Sequence, residues 1–161
     1  YHAMLERAAA RHPGRVGVAL RIDDALAHLI EAGADMLLMP SAYEPCGLNQ
    51  MYSLRYGTVP VVRRTGGLAE TVQDDDATGG HGVGFSFDEY SSLALLKALE
   101  RAVRAYRSPT RWRRLIDVGM RRDHSWEASA KRYLQLYEAA VGRRREGVRR
   151  SVEGEYGEVT V

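Results

Sequence analysis

The sequence predicts an α/β fold in which a parallel sheet carries helices on both faces. Through residues 1–90, short runs that are apolar throughout alternate with segments of helical period. Strands that are apolar on both faces and alternate with helices are typical of parallel sheets. After residue 90 only helical periodicity remains. We therefore expect the sheet to lie in the first part of the chain and a helical region to follow it.

The elements of the first part follow from short local signals. Apolar runs predict strands in "RVGVAL" (15–20), "DMLLMP" (35–40), "VPVV" (59–62) and "GVGFSF" (82–87). Helical period, with Asp at the start and Gly at the end, predicts a helix over 23–33. Further helices are expected over about 47–56 and from about residue 67. The resulting order alternates strands with helices.

Two helical stripes and a tail follow. Spacings of three and four predict core-facing stripes at Leu93, Leu96, Leu99, Val103 and Tyr106, and again at Trp126, Ala130, Tyr133, Tyr137 and Ala140. Pro109 suits the first turn of a helix between them. From Gly142 onward the periodicity is lost. The sequence thus divides into a domain over residues 1–141 and a basic, disordered tail over 142–161.

Composition limits the class of protein. The 161 residues are 45% hydrophobic, which is enough for one globular core. The one Cys excludes an internal disulfide and favours a reducing compartment, so we expect a cytoplasmic protein. No apolar stretch approaches the roughly 20 residues that span a bilayer. Because the chain starts at Tyr1, within a helical pattern, we interpret it as a fragment of a longer protein.

The charges are unevenly distributed. Residues 101–150 carry a net charge of +10 and the rest of the chain −8. Nucleic-acid binding is one interpretation, but no base-stacking aromatics are interleaved with the arginines, and we favour a solvated helical face. The run Asp74–Asp76 contains a D-x-D metal pattern, which we interpret as a solvated loop because Thr and Gly surround it.

Two loops are candidates for chemistry. In open parallel sheets ligands bind beyond the carboxyl ends of the strands. "PSAYEPCGL" and "RRTGGL" follow successive predicted strands and lead into predicted helices. Thr65, Gly66 and Gly67 could approach a diphosphate closely, with Arg63 and Arg64 adding positive charge. A plain turn before a helix would use the same residues, so both interpretations stay open.

Glu44 and Cys46 make the first loop unusual. Pro45 favours an extended Glu44, whose carboxylate would then point out of the strand end. Such a carboxylate could serve a bound sugar, or it could be solvated or cap a helix. Cys46 lies where a helix dipole could activate a nucleophilic thiol. We expect a packed side chain instead, because no supporting His motif is present.

The stretch "PSAYEPCGLNQMYSLRYGTVPVVRRTGGLAETV" resembles the most characteristic region of the bacterial glycogen synthases and plant starch synthases. These are ADP-glucose-dependent retaining glucosyltransferases with two Rossmann-like domains, an arrangement called GT-B. The resemblance implies that residues 1–141 form most of the C-terminal, nucleotide-sugar-binding domain. It also implies transfer of glucose from ADP-glucose to the non-reducing end of an α-1,4-glucan such as glycogen, without a cofactor or metal.

The same resemblance assigns roles to residues. Glu44 corresponds to the glutamate beside the transferred glucose. The donor sugar and diphosphate would be contacted by Cys46, Gly47, Leu48, Thr65, Gly66 and Gly67. Ile22 stands where the family usually has an aromatic residue stacked on the adenine. The implied partners are ADP-glucose or ADP, the glucan acceptor and an N-terminal domain of the same protein, with no nucleic acid and no membrane.

The sequence also fits alternatives to an active glucosyltransferase. The family's acceptor-side loop and its phosphate-clamping Arg and Lys have no counterpart here, so we expect the fragment to be inactive alone. Another GT-B enzyme that uses a UDP-sugar is possible, although such enzymes typically carry a second Glu where this chain has Tyr52. A non-catalytic ADP-binding module is the other alternative.

Overall fold

The computed structural model describes the backbone of residues 1–156 and the side chains of residues 1–146. The helices are α1 (His2–Arg11), α2 (Asp24–Gly33), α3 (Asn49–Tyr56), α4 (Gly66–Thr71), α5 (Ser92–Tyr106), α6 (Pro109–Met120) and α7 (Trp126–Tyr156), and the strands are β1 (Met36–Met39), β2 (Val59–Arg63) and β3 (Phe85–Phe87). They form two compact units, residues 1–120 and the residues from 121 onward.

The first unit is built on a parallel sheet with the strand order β1-β2-β3. Val59 and Val61 of β2 belong to a core that includes Phe85 and the buried side of α5 and α6. Val62 belongs to a second core, with Leu68 of α4 and residues of α3. The predicted α/β fold with helices on both faces of a parallel sheet is therefore confirmed.

The strand predicted at residues 15–20 is wrong. This segment is not assigned to any strand, and Val18 and Leu20 are 37% and 42% exposed. An apolar, extended segment becomes a strand only when a neighbouring backbone accepts and donates its hydrogen bonds. Among the described residues, no strand lies beside it, and β1 is paired with β2 on one side only.

Helix α5 buries a different face from the one predicted. Ala98, Ala102 and Ala105 are its buried residues, whereas the predicted stripe includes Leu93 and Leu96, which are more than half exposed. Small side chains let the helix axis approach the sheet closely, which places the alanines in the core. The stripe prediction for α5 is wrong in this respect. Helix α6 begins at Pro109, as predicted.

Helix α7 belongs to the second unit and extends from Trp126 to Tyr156. It passes Gly142, where the sequence pattern predicts a tail, because Arg and Glu favour helix even without an apolar stripe. The predicted stripe of α7 is exposed rather than buried, with Trp126 at 83% and Tyr137 at 61%. The domain boundary at 141 stays a prediction, and residues 157–161 lie outside the described part. None of the described helices is long and apolar enough to cross a membrane.

Candidate functional site

The two candidate loops lie side by side. Strands β1 and β2 are paired in parallel, with Met39 opposite Val62 at their carboxyl ends. The segments that follow, residues 40–48 and residues 64–65, therefore leave the same edge of the sheet. The two loops, which follow successive predicted strands, thus lie at one edge of the sheet because those strands are neighbours.

Backbone contacts join the loops directly. The N–H of Gly67 lies 3.3 Å from the carbonyl oxygens of both Glu44 and Pro45 and donates to them. A Cβ on Gly66 would overlap the carbonyl oxygen of Glu44, and a Cβ on Gly67 would overlap that of Cys46. Gly66 also has a φ of 46°, in the left-handed region. The absence of side chains at these glycines is therefore needed for the approach of the loops themselves.

Glu44 is half-buried in this contact region. The N-cap residues of α3 and α4 are Leu48 and Thr65, and neither helix has a side-chain capping hydrogen bond. The capping interpretation of Glu44 is therefore wrong. Within the described part of the chain, its carboxylate has no hydrogen-bond donor and no ion-pair partner. A carboxylate placed in this way is available to a bound ligand.

The residues after Glu44 form the exposed rim of the first loop. The thiol of Cys46 is free and exposed, so the expectation that it is packed is wrong. Leu48 is 53% exposed. Gly47 has a φ of 72°, a conformation that favours glycine. Beneath the loop lies Gln50, which is fully buried and which sequence reasoning missed, although it lies only two residues after Leu48.

The two arginines predicted to add positive charge are engaged by the protein. The guanidinium of Arg63 donates to the carbonyl oxygens of Ala42 at 2.7 Å and Asp88 at 3.1 Å, and it lies over the ring of Tyr90. Arg64 forms an exposed ion pair with Asp88 at 3.3 Å. Arg63 thus holds the first loop against the segment after β3. Sequence reasoning missed this role.

Ile22 lies apart from the loops. It precedes Asp23, the N-cap of α2, whose carboxylate accepts a hydrogen bond from the N–H of Leu26 at 3.0 Å. The side chain of Ile22 is 99% exposed, so the structure brings it into contact with neither loop. Its predicted place under the adenine stays a prediction.

The interpretation of the acidic run 74–76 as a solvated loop is wrong. Asp75 is fully buried and pairs with Arg111 and Arg114, both at 2.7 Å. Asp74 pairs with Arg101 at 2.9 Å. The loop is therefore not solvated, and these arginines do not form a solvated face. In the described residues, no group of three or more acidic, His or Cys side chains is placed to hold a metal.

The pKa of Asp74 reflects this packing. Burial alone would raise the pKa, but hydrogen bonds from the Arg101 side chain and from the backbone N–H groups of Ser86 and Ala77 outweigh it, and the pKa is lowered. Burial also opposes the hydrogen bonds of Arg111 and Arg101 at Asp76, whose pKa is lowered as well. The ionised forms of both carboxyl groups are thus stabilised within the fold.

Comparisons with known proteins agree with the resemblance. The chain is 57% identical over 137 residues to a glycogen synthase of Anaeromyxobacter sp. (strain K), a match that covers 85% of this chain and 29% of that protein. It is 49% identical over 140 residues to a glycogen synthase of Koribacter versatilis (strain Ellin345), with 87% and 29% covered. The chain thus spans about 29% of the length of these curated relatives.

Solved structures share the fold. The catalytic domain of starch synthase IV from Arabidopsis thaliana, bound to ADP and acarbose, matches with a TM-score of 0.74 and 38% identity over 87% of this chain and 30% of that one. Sucrose-phosphate synthase from Thermosynechococcus elongatus matches with a TM-score of 0.62 and 25% identity, over 88% and 34%. The predicted GT-B type of α/β fold and the resemblance to glycogen and starch synthases are both confirmed.

The family model described as glycosyl transferases group 1 matches residues 4–115. That range includes all three strands of the sheet and both loops at their carboxyl ends. Because the match extends over more than half of the chain and over the whole candidate site, this chain belongs to the glycosyl transferases group 1 family.

Proposed function

We propose that the complete protein transfers glucose from ADP-glucose to the non-reducing end of an α-1,4-glucan, with retention of the anomeric configuration. In this proposal the chain supplies the donor side of the active site. The observation that carries it is the direct contact between the Glu44–Cys46 backbone and Gly66–Gly67. This contact leaves a half-buried carboxylate without a partner among the described residues, at the edge where parallel sheets bind ligands.

The similar proteins support the choice of donor and acceptor. Two relatives about half identical to this chain are glycogen synthases, and the starch synthase structure was determined with ADP and acarbose. A nucleoside diphosphate and an oligosaccharide-like ligand are the two kinds of molecule that the proposed reaction needs. We extend both to this protein as a proposal.

Glu44 is proposed as the catalytic carboxylate. Glycosyl transfer passes through an oxocarbenium-like species, and a carboxylate beside the anomeric carbon stabilises its positive charge. We favour this stabilising role over a nucleophilic one. The donor sugar would be held by backbone N–H groups of Cys46, Gly47 and Leu48, and the diphosphate by residues 65–67. Helix α4 has only six residues, so its dipole contributes little.

The remaining partners and conditions are also proposals. The acceptor glucan and an N-terminal domain would complete the active site, because the proposed reaction has to hold donor and acceptor together. The reaction is proposed to need neither a metal nor a cofactor. An exposed free thiol at Cys46 suits a reducing compartment, and we propose a cytoplasmic location on that ground.

The experiment that tests the function compares donors in the complete protein. Labelled ADP-glucose and UDP-glucose are offered separately with glycogen, and incorporation and the linkage formed are measured. We expect incorporation from ADP-glucose in α-1,4 linkage. Preference for UDP-glucose would support the other GT-B enzyme considered above. Binding of ADP without transfer to any glucan would instead support a nucleotide-binding module.

A further inference from the structure

We propose that Gln50 is a positioning residue for the donor site, and that it acts together with Thr71. The two side chains, here called the Gln50–Thr71 pair, connect the loop 44–48 to the turn 65–67 from below. The consequence for catalysis rests on the function proposed above. The positioning itself rests on hydrogen bonds that the structure describes.

Gln50 lies in the first turn of α3, fully buried. Its side-chain nitrogen Nε2 lies 3.1 Å from the carbonyl oxygens of both Cys46 and Gly47 and donates to them. It also lies 3.2 Å from Oγ1 of Thr71, so that its two hydrogens are shared among three acceptors. The hydroxyl of Thr71 in turn donates to the carbonyl oxygen of Gly67 at 2.6 Å. A continuous hydrogen-bonded path thus joins the backbones of the two loops.

The direction of these bonds determines where the loop N–H groups point. In a trans peptide the C=O and the following N–H point in opposite directions, and no cis peptide bond occurs in the described chain. Because Gln50 draws the carbonyl groups of Cys46 and Gly47 inward, the N–H groups of Gly47 and Leu48 point away from it. Neither N–H has an acceptor among the described residues. These are two of the three N–H groups proposed to hold the donor sugar.

Packing alone does not explain a glutamine at this position. The Oε1 atom of Gln50 is buried and has no hydrogen-bond partner, and burying a polar atom in this way is unfavourable. Methionine would fill a similar volume without that cost. What methionine lacks is the donor group that holds the two carbonyl groups. The arrangement therefore favours loop positioning as the role of the carboxamide.

The test uses the complete protein with the variants Gln50→Met and Thr71→Val, each close in size to the native residue. Thr58→Val is the matched control. Thr58 is buried directly before β2, and its hydroxyl, which has one hydrogen to donate, lies 2.5 Å from the carbonyl oxygen of Glu31 and 2.9 Å from that of Ala34. Thr58→Val thus removes a buried hydroxyl and its hydrogen bonding at the opposite end of the strand from the loops. Thermal midpoint, KM for ADP-glucose and kcat are measured for each variant.

We expect kcat/KM to fall about 100-fold in Gln50→Met, because misplacement of positioned groups by about 1 Å has effects of that size. Thr71→Val should reduce kcat/KM less. The double variant should lose less than the product of the two single effects, since both act through one set of hydrogen bonds. Thr58→Val should lower the thermal midpoint while kcat/KM stays close to the native value.

A second measurement does not depend on activity. Amide hydrogen exchange of the segments 43–49 and 64–68 should accelerate in Gln50→Met and Thr71→Val and stay unchanged in Thr58→Val. If Gln50→Met does not fold, Thr71→Val still tests the proposal. Native kcat/KM and native exchange in the folded variants would overturn it. If the native protein transfers no glucose but exchange is accelerated in Gln50→Met and Thr71→Val, the proposed function is overturned and the positioning role is confirmed.

Discussion

Two loops of this chain contain acidic residues, and the two loops differ in whether those residues are paired with arginines. Glu44 follows β1 and has no charged partner among the described residues, although it is half-buried. Asp75 follows α4 and is fully buried, with the guanidinium groups of Arg111 and Arg114 against it. Both loops contain glycines, but the first leads into helix α3 and the second leads towards strand β3.

The difference separates a binding role from a structural one. A buried carboxylate that is satisfied by arginines has its interactions completed by the fold, and removing it leaves uncompensated charge. A half-buried carboxylate without a partner has interactions to offer to a ligand. Under the proposed function Glu44 serves activity, whereas the ion pairs of Asp75 serve stability. Changing each residue should then affect one property and spare the other.

The largest expected effect is that of Glu44→Gln on turnover of the complete protein. Because the carboxylate is proposed to act on charge that develops in the transition state, kcat should fall about 100- to 1000-fold, while ADP affinity changes little. The measurements are steady-state kinetics with ADP-glucose and calorimetric titration with ADP. The thermal midpoint should stay native, since no partner is lost.

The control for this variant is Glu100→Gln, which makes the same chemical change at an exposed position of α5. It should leave kcat unchanged. A kcat of Glu44→Gln within about tenfold of the native value would contradict the assignment, because loss of a transition-state interaction has to appear in turnover.

The second effect is expected on stability. Asp75→Asn keeps the shape of the side chain but removes the charge that Arg111 and Arg114 share. Breaking a buried ion pair costs about 3–5 kcal/mol of stability. Because the arginines are 33% and 37% exposed, we expect the free energy of unfolding to fall by about 2–3 kcal/mol. Urea unfolding of the complete protein measures it. The control is Asp117→Asn, at an exposed position of α6. Its free energy of unfolding should stay within about 0.5 kcal/mol of the native value. An equal effect of both would refute the structural role of Asp75.

The third effect concerns pH. The pKa of Asp74 is lowered in the folded chain, so the stability that its ionised form contributes is complete above the unfolded pKa of about 4 and is lost as pH falls through the folded pKa. The free energy of unfolding should therefore decrease below about pH 4. In Asp74→Asn this decrease should be shallower, by at most about 1.4 kcal/mol per pH unit. Equal profiles for the native protein and Asp74→Asn would contradict the linkage.

The sequence predicts those parts of the fold that depend on local patterns. Three strands coincide with the apolar runs that indicate them, because β2 and β3 are largely buried and therefore contain few polar residues. The run at 15–20 has the same composition but forms no strand. Pairing depends on a neighbouring backbone, and the apolar pattern of one segment carries no information about its neighbour.

The same limit applies to the site. The motif around Glu44 and the Thr65–Gly67 turn are recognisable as short stretches, and the structure brings them together. The contacts that hold them join residues far apart in sequence, such as Gln50 with Thr71 and Arg63 with Asp88. A charge pattern identifies neither pair. For this reason the sequence suggests Arg63 only as added positive charge near a diphosphate and does not indicate Gln50.

The smallest expected effect tests Ile22, the one predicted site residue that contacts neither loop. If the adenine lies against it, Ile22→Tyr should strengthen ADP binding about 2- to 10-fold, corresponding to an aromatic stacking gain of roughly 0.5–1.5 kcal/mol. The side chain is 99% exposed, so a larger ring meets no steric obstacle in the described chain. Tyr also favours extended backbone about as well as Ile does. We therefore expect Ile22→Tyr to fold normally, so that a change in ADP affinity reports on binding. Calorimetric titration of the complete protein with ADP gives the affinity, and Ile22→Leu, which adds no aromatic ring, should bind as the native protein does. Unchanged or weaker ADP binding by Ile22→Tyr would show that the base lies elsewhere, and the donor site would then have to be completed by residues other than Ile22.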